Sequence, residues 1–522
     1  MSNILTKIIY TIVIISVLFF GGRAFVFWKL KSTLISKIDD LKSKGILINY
    51  VSIESNSLDG TLTIKNLEVE KSDSDSVCSS SATIDEFKVQ GVSVLSYLLQ
   101  KKLVLSSIIL ARPLIQYSSH PKRTQSSVSG EYKEGPLKEI EIGLIRIDSG
   151  KFQMVDSASC VISLKTGFSL DLENFSLKNL TTDSLRWKME SLVVKGIYLD
   201  IPNKFYHATI NQFAYSRANK SIKVDSLRLV PTLDRSNFAK ETKFQTDQFT
   251  LILPSLRVND FVMNESMKLS FSAREVDLNF NMNVYRDKRY GRKQRTPKVL
   301  PMTFLNKLSF PLKIDSLMLS ESKIVYEEYS DKNDGIGKIS FNELSASISN
   351  IANDSIGKSE MKVHSTFMNS GALNVNFTFP HEKNKLYGVK GSLLNFHMPD
   401  INAMLEPSAL IKIESGKMQA MKFNFQYDSK ESNGELELRY SDLNVIAIKK
   451  EDKSENKIVS LIIKALVKKT IDKTDPMDKR TGKIHWERDT QKAILNYWWK
   501  SVFSGVKAVF GFENPMKKNY KK

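Results

Sequence analysis

Six histidines, His120, His207, His364, His381, His397 and His485, are the side chains best suited to move protons or hold metal at neutral pH. Their spacing argues against both. None forms His-Glu-x-x-His or a pair four residues apart on a helix. The chain has no G-x-S-x-G elbow, no P-loop and no G-x-G-x-x-G turn. Asp171, Asp225 and Asp315 alternate with apolar neighbours, as solvent-face carboxylates of strands do, and no spacing sets up a general acid–base pair. Cys78 and Cys160 lie far apart in Ser-rich surroundings, without metal-ligand spacing. They either pair or stay free. These residues point away from an enzyme, and no metal or cofactor is expected.

The remaining chemistry is charge. The 522 residues carry a formal net charge of +19, which suits anionic partners such as headgroups, nucleic acid or acidic glycans. A basic excess spread over a Lys-rich chain reads equally well as composition alone. The densest basic run is YRDKRYGRKQRTPK (285–298). It reads as a phosphate or headgroup contact, or as a solvated loop. Without a stacking platform it is no nucleic-acid motif, and no nucleic acid is expected as a partner.

The elements that would position such contacts begin with a membrane segment. Ile8 to Trp28 is one apolar run, IIYTIVIISVLFFGGRAFVFW. At ~1.5 Å per residue it can cross the ~30 Å hydrocarbon core. It is too long for a typical signal-peptide core, and no A-x-A-like site follows. Phe25, Phe27 and Trp28 followed by Lys29 and Lys31 form an aromatic and basic interface flank. The run reads as an uncleaved anchor (8–28) behind a short tail (1–7). Arg23, Lys29 and Lys31 would hold the rest of the chain in the cytoplasm by the positive-inside bias, which long domains can override.

After the anchor, Leu30, Leu34, Ile35, Ile38 and Leu41 recur at helical spacing, and Gly45 ends a membrane-proximal helix (29–45). Then the period becomes two. ILINYVSIESNSLDGTLTIKNLEVE (46–70) reads as strands around an Asp59-Gly60 turn. Similar units return, among them SLVVKGIYLDI (191–201), SIKVDSLRLV (221–230) and ALNVNFTFP (372–380). The sequence Ile/Val-Asp-Ser-Leu occurs at 224–227 and 314–317, without a strict repeat period. Helical signals between 50 and 450 are few, at 93–102 and 398–407. The pattern predicts a mainly β chain: one elongated, twisted antiparallel sheet over 46–450. C-terminal amphipathic helices and a basic tail follow over 451–522. Within them, KIVSLIIKALVKK (457–469) is amphipathic and cationic. In the segment 485–512, Trp498, Trp499 and Phe503 alternate with Lys500 and Lys507 at helical spacing. That helix is an interfacial membrane or partner-docking element, or a cap with its aromatics in the core of the sheet; both readings stay open.

Three segments carry a family resemblance. The opening INYVSIESNSLDGTLTIKNLEV (48–69), the helix-to-strand passage VSVLSYLLQKKLVLSSIILARPLIQY (92–117) and LLNFHMPDINAMLEPSALIKIESGKMQAMKFNFQYDSKESNGELELRYSDLNVIAI (393–448) resemble AsmA-like proteins. The resemblance implies an inner-membrane anchor, a periplasmic domain and a curved β groove related to bridge-like lipid-transfer proteins. It conflicts with the flanking charges on orientation.

An apolar strand face left open would offer acyl chains a trough, each buried CH₂ contributing ~0.8 kcal/mol. Candidate lining residues are Leu62, Ile64, Leu67, Val224, Leu227, Ile314, Leu317, Phe377 and Phe379. The same face packed on itself or on a helix would be an ordinary core. Trp28, Trp498, Trp499, Phe503, Lys500 and Lys507 are the candidates for membrane-interface or partner contact. The expected function is binding or conducting phospholipid in outer-membrane biogenesis. The alternative is a structural spacer or assembly factor that docks an envelope protein through the C-terminal aromatic helix.

Overall fold

The computed structural model describes residues 32, 35, 38, 46–56, 59–71, 78–119, 138–179, 186–264, 270–291, 297–330, 335–353, 356–382 and 384–511. The tail, the anchor 8–28 with Trp28, and most of the membrane-proximal helix lie outside them; positions 32, 35 and 38 are helical. Among the described residues no helix is long and apolar enough to cross a membrane. The chain is mainly β, as the alternation predicts. It divides into two compact units, 1–227 with 264–269, and 228–263 with 270–522.

The first unit contains β1 (Ile46–Asn49), β2 (Ser52–Asn56), β3 (Thr61–Lys71), β4 (Ser80–Gln90), β5 (Lys102–Ala111), β6 (Leu114–Ser119), β7 (Glu139–Asp156), β8 (Ile162–Lys178), β9 (Arg186–Lys188), β10 (Ser191–Ile201) and β11 (Tyr206–Ser216). β12 (Ser221–Pro231) carries the chain across the division. Most neighbours pair antiparallel, but β5 and β6 both run parallel to β7. The sheet is therefore mixed, not antiparallel throughout. Strand alternation fixes which face a residue takes; it carries no information on the direction of the neighbour, so sequence pattern alone misses such pairs. A disulfide joins Cys78 and Cys160, with Cα atoms 5.7 Å apart, inside the usual range for a disulfide.

The second unit contains β13 (Gln248–Asn259), β14 (Val262–Met263), β15 (Phe271–Asp287), β16 (Leu312–Tyr329), β17 (Ile336–Ala352), β18 (Lys358–Phe367), β19 (Gly371–Pro380), β20 (Tyr387–His397), β21 (Ile411–Tyr427), β22 (Glu431–Ala447) and β23 (Thr481–Glu487). β15 and β16 are parallel; from β16 to β23 each strand pairs antiparallel with the next. Because β23 pairs with β22, the sheet continues past residue 450, the boundary suggested by the loss of alternation there. The C-terminal helix Ile494–Val509 lies on β22 and β23 and closes the largest core among the described residues.

Several long strands bend in the middle. β7, of 18 residues, breaks register between Ile147 and Gly150, where Ser149 has φ 53°. β16, of 18 residues, breaks between Leu319 and Ser322, with Glu321 at φ 45°. An extra residue in the left-handed region bends the strand and increases its twist.

Candidate functional site

Pairing register places residues of neighbouring strands on one side of a sheet. In the first unit it builds two unbroken apolar rows. Leu62 of β3 faces Val89 of β4, then Ile108 of β5, Ile145 of β7, Leu172 of β8, Leu192 of β10 and Tyr215 of β11. Beside it, Ile64 faces Phe87, Leu110, Ile147, Leu170, Val194 and Phe213. The other face is polar along much of this path. Lys65 faces Glu86, and Arg146 lies across from Asp171, its Nε donating to Asp171 Oδ1 at 2.6 Å. That hydrogen bond and the paired charge raise the pKa of Arg146 above its ordinary value.

Most members of the apolar rows remain half-buried; only Ile64 and Tyr215 fall into the buried class. The small cluster of Ile38, Ile48, Ile53 and Ile64 occupies one end. Apart from positions 32, 35 and 38, the described helices of this unit are Val94–Gln100, which lies on β5, and one turn of 3-10 helix at Pro202–Lys204, near β8. Neither is long enough to cover seven strands. The result is a broad apolar face without a described second layer.

The candidate lining residues fall into two groups. Leu62, Ile64 and Leu67 belong to β3, and Leu67 packs with Ile64 in the same cluster. Alternation alone would send Leu67 to the opposite side, but Asn66, at φ 49°, resets it. The first Ile/Val-Asp-Ser-Leu works the same way. Lys223, Asp225 and Arg228 are exposed while Val224 and Leu227 are half-buried, with Ser226 at φ 55° between them. At the second occurrence Lys313, Asp315 and Met318 are exposed, and Ile314 and Leu317 are half-buried. At both occurrences two half-buried apolar residues stand three positions apart, and at the first a left-handed serine accompanies the break in alternation.

Phe377 and Phe379 differ. Register carries the row from Val276 through Leu317, Ile348, Met361, Phe377 and Val389 to Phe425, so Leu317 and Phe377 share it. At Phe377, however, the row is covered. Trp498 of the C-terminal helix lies on Phe377 with ring centroids 4.4 Å apart, and both phenylalanines are buried in the core. They are packed core residues and not members of an open face. An aromatic-rich helix that fits the sheet displaces solvent more completely than an open strand face.

The same helix divides the second candidate set. Tyr497, Trp498, Val502 and Gly505 turn toward the sheet. Ser501 Oγ and Ser432 Oγ are 2.7 Å apart. A Cβ on Gly505 would stand 2.8 Å from Leu436 Cβ, so glycine is what lets the helix approach this closely. Trp499 is exposed and stacks on Phe503, with ring centroids 5.7 Å apart. The ammonium groups of Lys507 and Lys500 lie 5.1 and 5.8 Å from the Phe503 ring. Trp498 therefore belongs to the cap, while Trp499, Phe503, Lys500 and Lys507 form a separate cation–aromatic cluster. Burial lowers the pKa of Lys500, with the neighbouring charge of Lys507 adding to the effect.

In the basic run, 292–296 lies outside the described residues. Its first residues are engaged and not a solvated loop. Arg286 makes two hydrogen bonds to Asp247, one of them Nη2 to Oδ2 at 2.8 Å. Arg289 bonds Asp287 at 2.7 Å and stacks over Tyr329 at 3.6 Å. Asp287 pairs locally with a cation two residues on, a signal present in the sequence but hidden by the surrounding lysines and arginines.

Among the described residues no group of three or more His, Cys, Asp or Glu is placed to hold a metal ion. His381 is buried, 2.9 Å from Ser359 Oγ and 2.9 Å from the carbonyl of Ile356. Ser359 Oγ also donates to the carbonyl of Asn350 at 2.7 Å. These contacts tie a hairpin end together and leave the hydroxyl buried. Compared with known proteins, the chain matches no family model and no curated protein.

Proposed function

We propose that this chain is a membrane-anchored, AsmA-like envelope protein that binds or conducts phospholipid along the apolar face of its first unit. The observation that carries the reading is the pair of apolar rows from Leu62 to Tyr215 and from Ile64 to Phe213, half-exposed and backed by a polar face. A row of apolar side chains suits acyl chains, which need hydrophobic contact and no directional bonds. The Cys78–Cys160 disulfide supports an oxidising compartment, so an inner-membrane anchor with the domain in the periplasm is the placement we favour over the cytoplasm. The apolar run Ile8–Trp28 supplies the anchor in this reading.

A second reading has one observation in its favour. The C-terminal core is filled, with Tyr427, Leu436, Leu438 and Tyr440 almost fully buried beneath the helix. A rigid, filled unit suits a spacer or assembly factor that docks an envelope partner through Trp499 and Phe503. Mass spectrometry of the purified protein, released from its anchor and washed of detergent, separates the two. Stoichiometric phospholipid that disappears when Ile145 and Leu172 become Asp supports the lipid reading. A folded protein free of lipid supports the spacer.

A further inference from the structure

The first turn of the helix Lys457–Leu466 shows apolar side chains to solvent. Among its described side chains the buried one is polar: Ser460 is 1% exposed. Ser460 Oγ accepts from the amide of Ala447 at 2.9 Å, which fastens the helix to the end of β22. Asn456 holds the start, its amide donating to the Ala447 carbonyl at 2.8 Å and its side chain accepting from Val459 N. The neighbouring apolar residues face out, Ile458 at 77% and Leu461 at 72% exposed, with Val459 also exposed. An amphipathic helix ordinarily buries its apolar stripe and shows its polar residues to water.

The surroundings of these tips are basic. Seven lysines stand against three carboxylates between 449 and 469. Lys449, Lys453, Lys457 and Lys469 are exposed, and Lys468, also exposed, pairs with Asp475 at 3.3 Å. We propose that this helix is a docking element for an anionic phospholipid surface: Ile458 and Leu461 enter the headgroup boundary while the lysines meet lipid phosphates. Two features favour a bilayer over a protein partner. The exposed tips are small aliphatic groups, and the segment 449–469 has no Trp, Tyr or Arg, the residues that dominate protein interfaces. Lysine at the edge of an apolar strip is the composition of interfacial helices. The contact is separate from the aromatic helix Ile494–Val509, and it stands whether or not the sheet of the first unit carries lipid.

The test uses the full chain held in phosphatidylcholine nanodiscs, with Leu461→Cys carrying an environment-sensitive fluorophore. Vesicles of phosphatidylcholine, or of phosphatidylcholine with phosphatidylglycerol, are then titrated in. The probe reports only its own surroundings, so the result does not depend on how the N-terminus is held. The expected result is a blue shift with the anionic vesicles and none with the neutral ones. Ile458→Asp should weaken the apparent affinity by roughly tenfold or more, as expected when an apolar tip becomes a charge that anionic headgroups repel. Replacing Lys449, Lys453 and Lys457 together by Gln should weaken it further and flatten its salt dependence. Both changes are at exposed positions, and an unchanged circular dichroism spectrum shows that the fold is kept. No shift with either vesicle overturns the proposal and leaves this face to a protein partner. An equal shift with both vesicles overturns the requirement for negative charge.

Discussion

Phe377 and Trp498 meet with ring centroids 4.4 Å apart and planes inclined at 40°, joining a central strand of the second unit to its last helix. Trp498 also meets Tyr427 edge-on, at 6.3 Å. The contact turns an apolar sheet row into a closed core and assigns the C-terminal helix to the fold. Trp498→Ala should therefore lower the unfolding free energy by about 3 kcal/mol, the range for truncating a packed aromatic. The neighbouring Trp499→Ala, at an exposed position, should cost less than about 0.5 kcal/mol. Denaturant titration of the two variants checks this. Equal losses would contradict the cap.

The disulfide spans 82 residues of sequence, so it restricts the unfolded chain strongly. Reduction, or Cys160→Ser, should cost about 2–4 kcal/mol. The effect should appear as a lower denaturation midpoint in reductant, and only in protein made under oxidising conditions. An identical midpoint with and without reductant would show that the bridge plays no part in stability.

Asp287 links stability to acid. Burial by itself would raise its carboxyl, but the hydrogen bonds and charge of Arg289 outweigh burial and hold it below the ordinary carboxylate range. The same carboxylate, after burial itself, pushes the hydroxyl of Tyr285 up to about 12. A depressed carboxyl contributes stability that is whole above its unfolded pKa, ~3.9, and is lost as pH falls through the lower folded value. Asp287→Asn should cost on the order of 2 kcal/mol at neutral pH. Its disadvantage should shrink as pH drops below ~4. Unfolding curves measured at pH 7 and pH 3 decide it: a constant difference would mean that the charge of Asp287 is not what matters.

Much of the β architecture was legible in the sequence because one face of each strand is apolar. β10 and β12 follow SLVVKGIYLDI and SIKVDSLRLV almost residue for residue. The helices at 93–102 and 457–469 emerge as Val94–Gln100 and Lys457–Leu466. Three things were not legible. Partner choice was one: parallel pairs such as β15 with β16 depend on where long connections return the chain. Burial depth was another: Phe377 and Leu317 look alike in sequence and share a row, yet only Phe377 lies beneath a helix. The third was the start of helix Lys457–Leu466, where the polar Ser460 is buried and bonded to Ala447 while Ile458 and Leu461 are exposed. The pairing of Cys78 with Cys160 also needed three dimensions. In contrast, the break of period at Val224-Asp-Ser-Leu227 was visible as a recurring sequence, and its meaning became clear only with Ser226 at φ 55°.

The most direct test of the lipid face uses two adjacent residues of β4. Phe87 lies on the apolar row, across from Ile64 and Leu110, and Lys88 faces the other way, across from Thr63 and Ile109. A photo-crosslinking benzoylphenylalanine is placed at 87 or at 88 in the full chain, irradiated in cells, and the purified protein is weighed by intact mass spectrometry. Phospholipid adducts are expected at 87 and none at 88. Adducts at both positions, or at neither, in folded protein would contradict a lipid-binding face on the first unit.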